Sequence, residues 1–145
     1  MEINQSVIAD TSGLISLVSK DDSNYKEAIA IGKSLSEVEG RIYIPTEIFA
    51  ETMNILGRKI NHASAIRAAR KIERSPFFLI VDTTHEIRRS ALDQFEKISE
   101  SVSFTDCLVM ALADSYDTKE IFGFDDAFRK NGYIRIGIDK NPLAP

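Results

Sequence analysis

The sequence SFTDCLVMALADSYDTKEIFGFDDAF, residues 103–128, predicts a buried helix followed by a short strand. Thr105 or Asp106 can cap the helix, because a side-chain oxygen accepts a hydrogen bond from a free backbone N–H of the first turn. Residues 107–113 then offer no polar side, and a helix that is apolar all round is buried inside a domain. The helix therefore belongs to the core, with Asp106 at its start.

The strand predicted in the same stretch ends on two acids. Residues 121–124 form a short apolar run, and Asp125 and Asp126 follow it directly. In open α/β sheets, sites are built beyond the carboxyl ends of the strands. We therefore expect the carboxylates of Asp106 and Asp125 to lie near one edge of a sheet.

Length and composition indicate a single globular domain. The chain has 145 residues, of which 43% are apolar and 28% charged, as in ordinary globular proteins. We expect one domain over residues 1–145, with a loose C-terminal tail over residues 138–145. No apolar run approaches the roughly 20 residues of a membrane-spanning helix, and no targeting signal is evident, so a cytoplasmic protein is expected. The single cysteine, Cys107, excludes an internal disulfide.

Short apolar runs alternate with helical patterns along the chain. Strands are predicted at residues 6–9, 41–44, 77–81, 121–124 and 133–138, and the apolar run 77–81 suits a buried strand. Beside the helix that begins near Asp106, helices are predicted at residues 12 to about 20, 24–39, 46–59, 61–74, 86–99 and 127–131. Ser12 can cap the first of these, and Ile66 is expected to face inward from helix 61–74. This alternation predicts an α/β domain in which helices flank a parallel central sheet of about five strands (α/β/α). Glycine-rich phosphate loops do not occur, which excludes the dinucleotide and P-loop signatures.

Four acids are expected to meet at one edge of this sheet. Asp10, Asp106 and Asp125 occupy strand ends or a helix start, and Glu51 lies at the border of the apolar side of helix 46–59. Crowded carboxylates stay ionised only if a cation compensates their charge. Oxygen ligands without His or Cys favour Mg²⁺ or Mn²⁺, and such ions activate water for attack on a phosphodiester. The pattern therefore indicates phosphoryl-transfer chemistry.

The same acids also have purely structural interpretations. Asp10 can form a turn, Asp106 can cap a helix and Glu51 can be a surface charge. Asp82 ends another predicted strand and is the rival member of the set. A role for Asp82 in the turn is favoured, since acids often follow strands as turn formers.

Four blocks of the sequence resemble those of PIN domains, especially of the VapC-type toxins. They are DTS from Asp10, IPTEIFAETMNIL around Glu51, SFTDCLVMALA around Asp106 and FGFDDAF around Asp125. Their order and spacing cover essentially the whole chain. The resemblance implies a PIN fold and an endoribonuclease dependent on Mg²⁺ or Mn²⁺, in which these four acids bind the metal. It also implies a homodimer that a small antitoxin protein neutralises.

Two positions depart from the family pattern. Gly123 stands where the family usually has Thr or Ser, so a hydroxyl that could orient a ligand or water is missing. Asp126 directly follows Asp125, and Asp125 is preferred as the ligand because Phe128 follows it as in the family block. Hydroxyls that can hold the carboxylates or waters in place are those of Thr11, Ser12 and Thr105.

A basic stripe runs from Arg58 to Arg74. This segment carries a single acid, Glu73, and the cations Arg58, Lys59, Arg67, Arg70, Lys71 and Arg74. The net charge of −4 argues against a protein that binds nucleic acid through a broad positive surface. The stripe can be a solvated helix face, a contact for RNA phosphates, or a docking surface for an acidic segment of an inhibitory partner.

Two other functions fit part of the pattern. A receiver-type phosphoacceptor domain also holds Mg²⁺ on acids, and Asp10 and Asp82 both end strands. Such domains usually have two adjacent acids after the first strand, whereas only Asp10 is present here. The third alternative is a catalytically idle PIN-like interaction module, for which Gly123 is the suspect residue. The ordered set of four acids favours the nuclease.

Overall fold

Five parallel strands form one sheet in the computed structural model, which describes residues 5–99 and 101–142. The strands are β1 (Ser6–Ala9), β2 (Arg41–Pro45), β3 (Phe78–Val81), β4 (Glu120–Phe122) and β5 (Ile134–Arg135). Their order across the sheet is β3-β2-β1-β4-β5, and every pair is parallel. The predicted parallel sheet is confirmed.

Helices connect these strands and cover both faces of the sheet. They are α1 (Thr11–Val18), α2 (Tyr25–Glu37), α3 (Thr46–Lys59), α4 (His62–Arg74), α5 (His85–Lys97), α6 (Phe104–Ser115) and α7 (Asp126–Lys130). From β1 the chain adds β2 and then β3 on one side, and it returns to add β4 and β5 on the other. Because such crossovers are right-handed, α1 to α4 cover one face and α5 and α6 the other. This is the predicted α/β/α arrangement.

The strand order also excludes the receiver-type alternative. The doubly wound sheet of that fold has the order 2-1-3-4-5, whereas β1 here lies between β2 and β4. β1 therefore has β2 and β4 as neighbours, whereas the first strand of a receiver-type sheet has strands 2 and 3.

β1 and β4 form the switch point of the sheet. Ile8 lies opposite Ile121 and Ala9 opposite Phe122. From these neighbouring strands the chain continues towards opposite edges, which opens a crevice at their carboxyl ends. Asp10 follows β1 directly and Gly123 follows β4, so both residues lie at this crevice.

α6 is the buried helix that the sequence predicts. Each residue from 107 to 113 is at most 3% exposed, and Cys107 is a buried free thiol. The predicted cap at Thr105 or Asp106 is wrong, because Ser103 is the N-cap. The Asp106 N–H donates to Ser103 Oγ over 3.1 Å, and the Ser103 N–H donates to Asp106 Oδ2 over 3.2 Å. Two free backbone donors are thus satisfied by one capping box.

Burial differs from the prediction in two elements. β3 was expected to be buried, but Leu79 and Ile80 are each 37% exposed, because β3 is an edge strand that pairs only with β2. In α4 we expected Ile66 to face inward, but it is 49% exposed and Ala68 is buried instead. The small side chains of Ala65 and Ala68 let α4 approach its neighbours closely, and this contact selects the buried side.

The last strand is shorter than the predicted 133–138, since only residues 134–135 pair with β4. Beyond it the Gly137 N–H donates to the Lys140 carbonyl over 2.6 Å, and the Lys140 ammonium lies 2.7 Å from Glu120 Oε1. The predicted tail begins at residue 138, and its last three residues, 143–145, lie outside the described part. No helix in residues 5–99 or 101–142 is long and apolar enough to cross a membrane.

Candidate functional site

Asp10 directly follows β1 at the carboxyl end of the β1–β4 pair. Its backbone N–H donates to the Phe122 carbonyl over 3.0 Å, which continues the pairing of the two strands. Its side chain is the N-cap of α1 and accepts from the Ser12 N–H over 3.4 Å. Ser12 itself was the candidate cap in the sequence, but it is the second residue of the helix. The Asp10 side chain is almost completely buried, with 7% of the residue exposed.

The Ser12 hydroxyl joins the loop after β1 to the loop after β4. It donates to Asp10 Oδ2 over 2.9 Å, and it accepts from the Phe124 N–H over 3.0 Å. The Asp10 carboxylate is therefore held in one orientation by a residue that also fixes the β4–α7 loop. Thr11 differs from Ser12, because its buried Oγ1 has no hydrogen-bond partner among the residues that the structure describes.

Asp106 enters the crevice from the first turn of α6. Its carboxylate is fixed by the Ser103 N–H in the capping box, and the residue is 9% exposed. The Thr105 hydroxyl lies 3.0 Å from Ser103 Oγ, so it contacts the capping serine and does not hold a carboxylate. A helix N-terminus favours a negative charge, which partly offsets the burial of Asp106.

The charges of neighbouring acids raise the pKa of two of these carboxyls. The pKa of Asp10 is raised from 3.8 to about 6. Burial is the largest cause, and the negative charge of Asp106 is the second. Burial likewise raises the pKa of Asp106, and the charges of Asp125 and Glu51 act in the same direction. Asp10, Glu51, Asp106 and Asp125 therefore share one region of negative potential, and we call them the carboxylate cluster.

The two outer members of the carboxylate cluster are more accessible than Asp10 and Asp106. Glu51, on α3, is half-buried, as its border position in the sequence predicted. Asp125 is exposed and caps α7, where its Oδ1 accepts from the Ala127 N–H over 2.9 Å. The cluster therefore has a buried end at β1 and α6 and an open end towards solvent.

Asp126 has a different environment from Asp125. Its Oδ1 lies 2.6 Å from Arg129 Nε and 3.5 Å from the Arg135 guanidinium, and its Oδ2 lies 3.6 Å from Lys130 Nζ. The hydrogen bond from Arg129 is the main reason that the pKa of Asp126 is lowered. Asp126 is therefore neutralised by cations, whereas Asp125 contributes its charge to the carboxylate cluster.

Asp82, the rival acid, lies in a separate contact. It is exposed, and its Oδ1 accepts from the Thr46 hydroxyl over 3.0 Å. The same hydroxyl is 3.1 Å from the Val81 carbonyl. Asp82 thus joins the end of β3 to the start of α3, and its role in the turn stays a prediction.

Gly123 packs directly against Asp10. A Cβ at position 123 would lie 2.9 Å from the Asp10 Cβ, 3.4 Å from Asp10 Oδ2 and 3.4 Å from Ser12 Oγ. A side chain at this position would displace the Asp10 carboxylate. The space that a hydroxyl of residue 123 would need is thus taken by Asp10 and Ser12.

The donor set of the carboxylate cluster fits a hard divalent cation. The set consists of oxygens only. Repulsion by other members of the cluster contributes to the raised pKa of Asp10 and of Asp106, and a cation would relieve this repulsion. Within residues 5–99 and 101–142, no three His, Cys, Asp or Glu side chains are already arranged to hold a metal ion. Mg²⁺ is usually held through one or two carboxylates, with waters and substrate phosphate completing its shell. The residues therefore fit Mg²⁺ or Mn²⁺ better than Zn²⁺.

Two functional contacts were missed in the sequence. Ser103 fixes Asp106, and the S-x-x-D spacing of a capping box was the signal that could have identified it. The backbone N–H of Phe124 donates to the Ser12 hydroxyl, and no pattern of residues in the sequence predicts such a contact. Only the packing of the β1 and β4 loops makes it visible.

Comparison with known proteins agrees with this geometry. The family model described as PIN domain matches residues 7–132. The crystal structure of VapC20 from Mycobacterium tuberculosis, described as a sarcin–ricin-loop-cleaving toxin, is similar with a TM-score of 0.78 and 21% sequence identity. The alignment covers 90% of this chain and 98% of that one, and at this identity it shows a shared fold. The comparison with curated proteins gives no significant match.

Proposed function

The chain belongs to the PIN-domain family, and we propose that it is a metal-dependent endoribonuclease that hydrolyses RNA phosphodiester bonds. The observation that carries the proposal is the placement of Asp10 and Asp106, both almost completely buried, with burial and then the charge of Asp106 raising the pKa of Asp10 to about 6. Such perturbed carboxyls in a crevice are typical of functional sites. The family match spans all four acids of the carboxylate cluster.

Asp10, Glu51, Asp106 and Asp125 would hold Mg²⁺ or Mn²⁺. When bound, the ion supplies positive charge that keeps the carboxylates ionised and activates water for attack on the phosphodiester. The protein's own contribution is positioning. The Ser12 hydroxyl fixes the Asp10 carboxylate, and the Ser103 N–H fixes that of Asp106, so the two buried ligands need little reorganisation to bind.

We also propose that the protein is the toxin of a toxin–antitoxin pair of VapC type. The likeness to VapC20 supports this proposal, and so does an apolar groove of about 510 Å³ rimmed by Lys20, Lys33 and Lys71. Its floor includes Leu17, Ile29, Ile72 and Phe77. An antitoxin segment with an apolar side and acidic flanks would complement it. Co-expression with such an antitoxin should abolish RNA cleavage.

A homodimer in the cytoplasm is the form that we propose for the free toxin. Apolar side chains that are more than a third exposed on β3 and α5 support an interface, namely Leu79, Ile80, Leu92 and Phe95. Burial of such residues is a common source of dimer stability. Light scattering of the purified protein measures the mass directly. A cytoplasmic location agrees with RNA as the substrate.

Cleavage of RNA with Mn²⁺ or Mg²⁺ tests the proposed activity. The wild-type protein should cleave a labelled single-stranded RNA, and EDTA should prevent it. Asp106→Asn should lower the rate by at least about 100-fold, since it removes a charged ligand. Asp82→Asn is the matched control, because Asp82 also follows a strand but contacts Thr46, and it should keep full activity.

A catalytically idle module is the second candidate. The observation that favours it is that no three-ligand group is already arranged in the described part of the chain. Titration calorimetry with Mn²⁺ separates the two functions. Binding that disappears in Asp106→Asn supports the nuclease, and a folded wild-type protein that binds no Mn²⁺ supports the idle module.

A further inference from the structure

Four cations of α4 lie on one exposed side of the helix. Each of them stands three or four residues from two of the others, which places the side chains on the same helix face. The four are Arg67, Arg70, Lys71 and Arg74, and all are exposed. The side of α4 that faces the core consists of Ala65, Ala68 and Ile72. Together with Arg58 and Lys59 at the end of α3, these four residues form what we call the basic face.

The basic face is largely unneutralised. Arg70 lies 3.1 Å from Glu73, and this is the single ion pair of the basic face within the described residues. Residues 58–74 hold six of the 18 Lys and Arg of the chain but one of its 22 Asp and Glu. A local excess of positive charge on an acidic protein attracts a polyanion to that surface in particular.

Packing connects the basic face to the carboxylate cluster. A separate apolar cluster joins Ile15 of α1, Leu56 of α3, and Ala65 and Ala68 of α4. α1 is the helix that Asp10 caps, and α3 carries Glu51. α4 is thus held against both helices that present carboxylates from this face of the sheet.

Arg58 extends the basic face towards Glu51. The two residues lie two turns apart on α3, so they are on the same side of the helix and about 10.5 Å apart along its axis. Arg58 is exposed, and no acid pairs with it in the part of the chain that the structure describes. Arg58 thus leads from the basic face along α3 towards Glu51, whereas Arg74 ends α4 shortly before β3 begins, near the amino edge of the sheet.

The shape and composition of the basic face favour RNA over a protein segment. The four cations of α4 line an open depression of about 580 Å³, in which Ile66 is the one apolar side chain. Protein interfaces normally contain an apolar core, whereas phosphate contacts come from exposed Lys and Arg. The groove that includes Lys20 and Lys33 shares Lys71 with the basic face, and its lining contains more apolar side chains, among them Leu17, Ile72 and Phe77.

We propose that the basic face binds the phosphate backbone of the RNA substrate outside the bond that is cleaved. The proposal rests on the proposed ribonuclease function and adds a second surface to it. Arg67 and Arg74 contribute affinity without reading the base sequence, because contacts to phosphate carry no sequence information. The carboxylate cluster and the basic face thus have separate tasks, cleavage and retention of the strand.

Fluorescence anisotropy with a labelled single-stranded RNA in EDTA measures binding without cleavage. Arg67→Gln/Arg74→Gln should weaken binding roughly tenfold at low salt, with a salt slope lower by about 1.4 for two lost phosphate contacts. Arg88→Gln/Arg89→Gln is the matched control. It removes two exposed arginines from α5, on the opposite face of the sheet, so it has the same net charge and should bind as the wild type does.

Equal RNA affinity in the two double variants would overturn the proposal. So would a variant of Arg67 and Arg74 that keeps RNA affinity but loses binding of poly-glutamate, since the basic face would then serve an acidic protein segment. Circular dichroism of both variants checks the fold. Loss of RNA binding in Arg67→Gln/Arg74→Gln supports the basic face even if the wild type fails to cleave with Mn²⁺, an outcome that would contradict only the ribonuclease function.

Discussion

Gly123 leaves no room for a side chain beside Asp10, because a Cβ on residue 123 would lie 2.9 Å from the Cβ of Asp10. Real Cβ atoms essentially never approach this closely, so either the loop after β4 or the Asp10 side chain would have to move. The glycine therefore belongs to the geometry of the carboxylate cluster. Its lack of a hydroxyl is offset by Ser12, which already binds Asp10 Oδ2 over 2.9 Å.

Gly123→Ala should lower RNA cleavage by roughly tenfold or more, since a small misplacement of a ligand costs a large factor in rate. Gly123→Thr should not raise the rate, although it restores the residue type usual in the family. Steady-state cleavage rates measure both. Gly57→Ala is the control, because a Cβ there meets nothing within 4 Å, and Ala stabilises a helix by about 1 kcal/mol relative to Gly. Wild-type rates in Gly123→Ala would show that Asp10 does not depend on this contact.

Asp10→Asn should stabilise the metal-free protein at neutral pH. The pKa of Asp10 is raised from 3.8 to about 6 in the folded state, so between these values the folded protein holds a proton that the unfolded chain has lost. The free energy of unfolding therefore falls as pH rises through this window, by up to roughly 3 kcal/mol. Asparagine cannot ionise, so Asp10→Asn does not lose this part of the free energy of unfolding as pH rises.

Urea denaturation in EDTA at pH 4 and pH 7 measures the difference. Wild type and Asp10→Asn should differ more at pH 7 than at pH 4, with the variant the more stable. Asp106 contributes to the wild-type slope with the same sign, because its pKa is also raised. Asp82→Asn should behave as the wild type does at both values. A variant that gains no relative stability at pH 7 would mean that Asp10 is already ionised without cost.

Ser12→Ala should act on both loops of the crevice. It removes the hydrogen bond to Asp10 and leaves the Phe124 N–H without its acceptor, which costs about 1–2 kcal/mol of stability. The hydrogen bond from Ser12 lowers the pKa of Asp10, so its loss raises that pKa above the value in the wild type. The acidic limb of the cleavage profile should move to higher pH.

The pH profile of kcat separates this effect from a loss of folded protein, which would lower the rate without moving the limb. Ser90→Ala, at an exposed position of α5, is the control and should change neither stability nor profile. An unchanged acidic limb in Ser12→Ala would indicate that the serine does not influence the charge of Asp10.

Asp125→Asn and Asp126→Asn should have opposite consequences although the residues are adjacent. Asp125 raises the pKa of Asp106 and is the proposed ligand, so its substitution should lower cleavage and Mn²⁺ affinity. Asp126 pairs with Arg129, Lys130 and Arg135, and Asp126→Asn should leave both nearly unchanged. Calorimetry and cleavage assays on the pair check this, and the reverse result would reassign the ligand to Asp126.

The sequence was sufficient for the order of the elements and for α6, because hydrophobic periodicity is a local property. The unbroken apolar run from 107 to 113 could only be buried, and it is. Predictions failed where burial depends on neighbours distant in sequence. Ile66 has an apolar side chain, but α4 packs against α3 through its alanines. Leu79 is exposed because, among the residues that the structure describes, no strand pairs with the outer edge of β3.

Within the candidate site, the acids could be found from sequence but their supports could not. Asp10 and Asp106 stand at a strand end and a helix start, and these are visible patterns. The contact between Gly123 and Asp10 arises because β1 and β4 are neighbours, although more than 100 residues separate them. From the sequence, Gly123 could be interpreted only as a position that lacks the usual hydroxyl. The structure shows that a side chain at this position would collide with Asp10.

Anomalous diffraction from crystals grown with Mn²⁺ tests the central claim most directly, because it locates the cation independently of activity. The account predicts a peak bordered by the carboxylates of Asp10 and Asp106, and its loss in crystals of Asp106→Asn. A peak at Asp82 or Asp126 instead, or a fully formed protein crystal with no peak at the carboxylate cluster under saturating Mn²⁺, would contradict it.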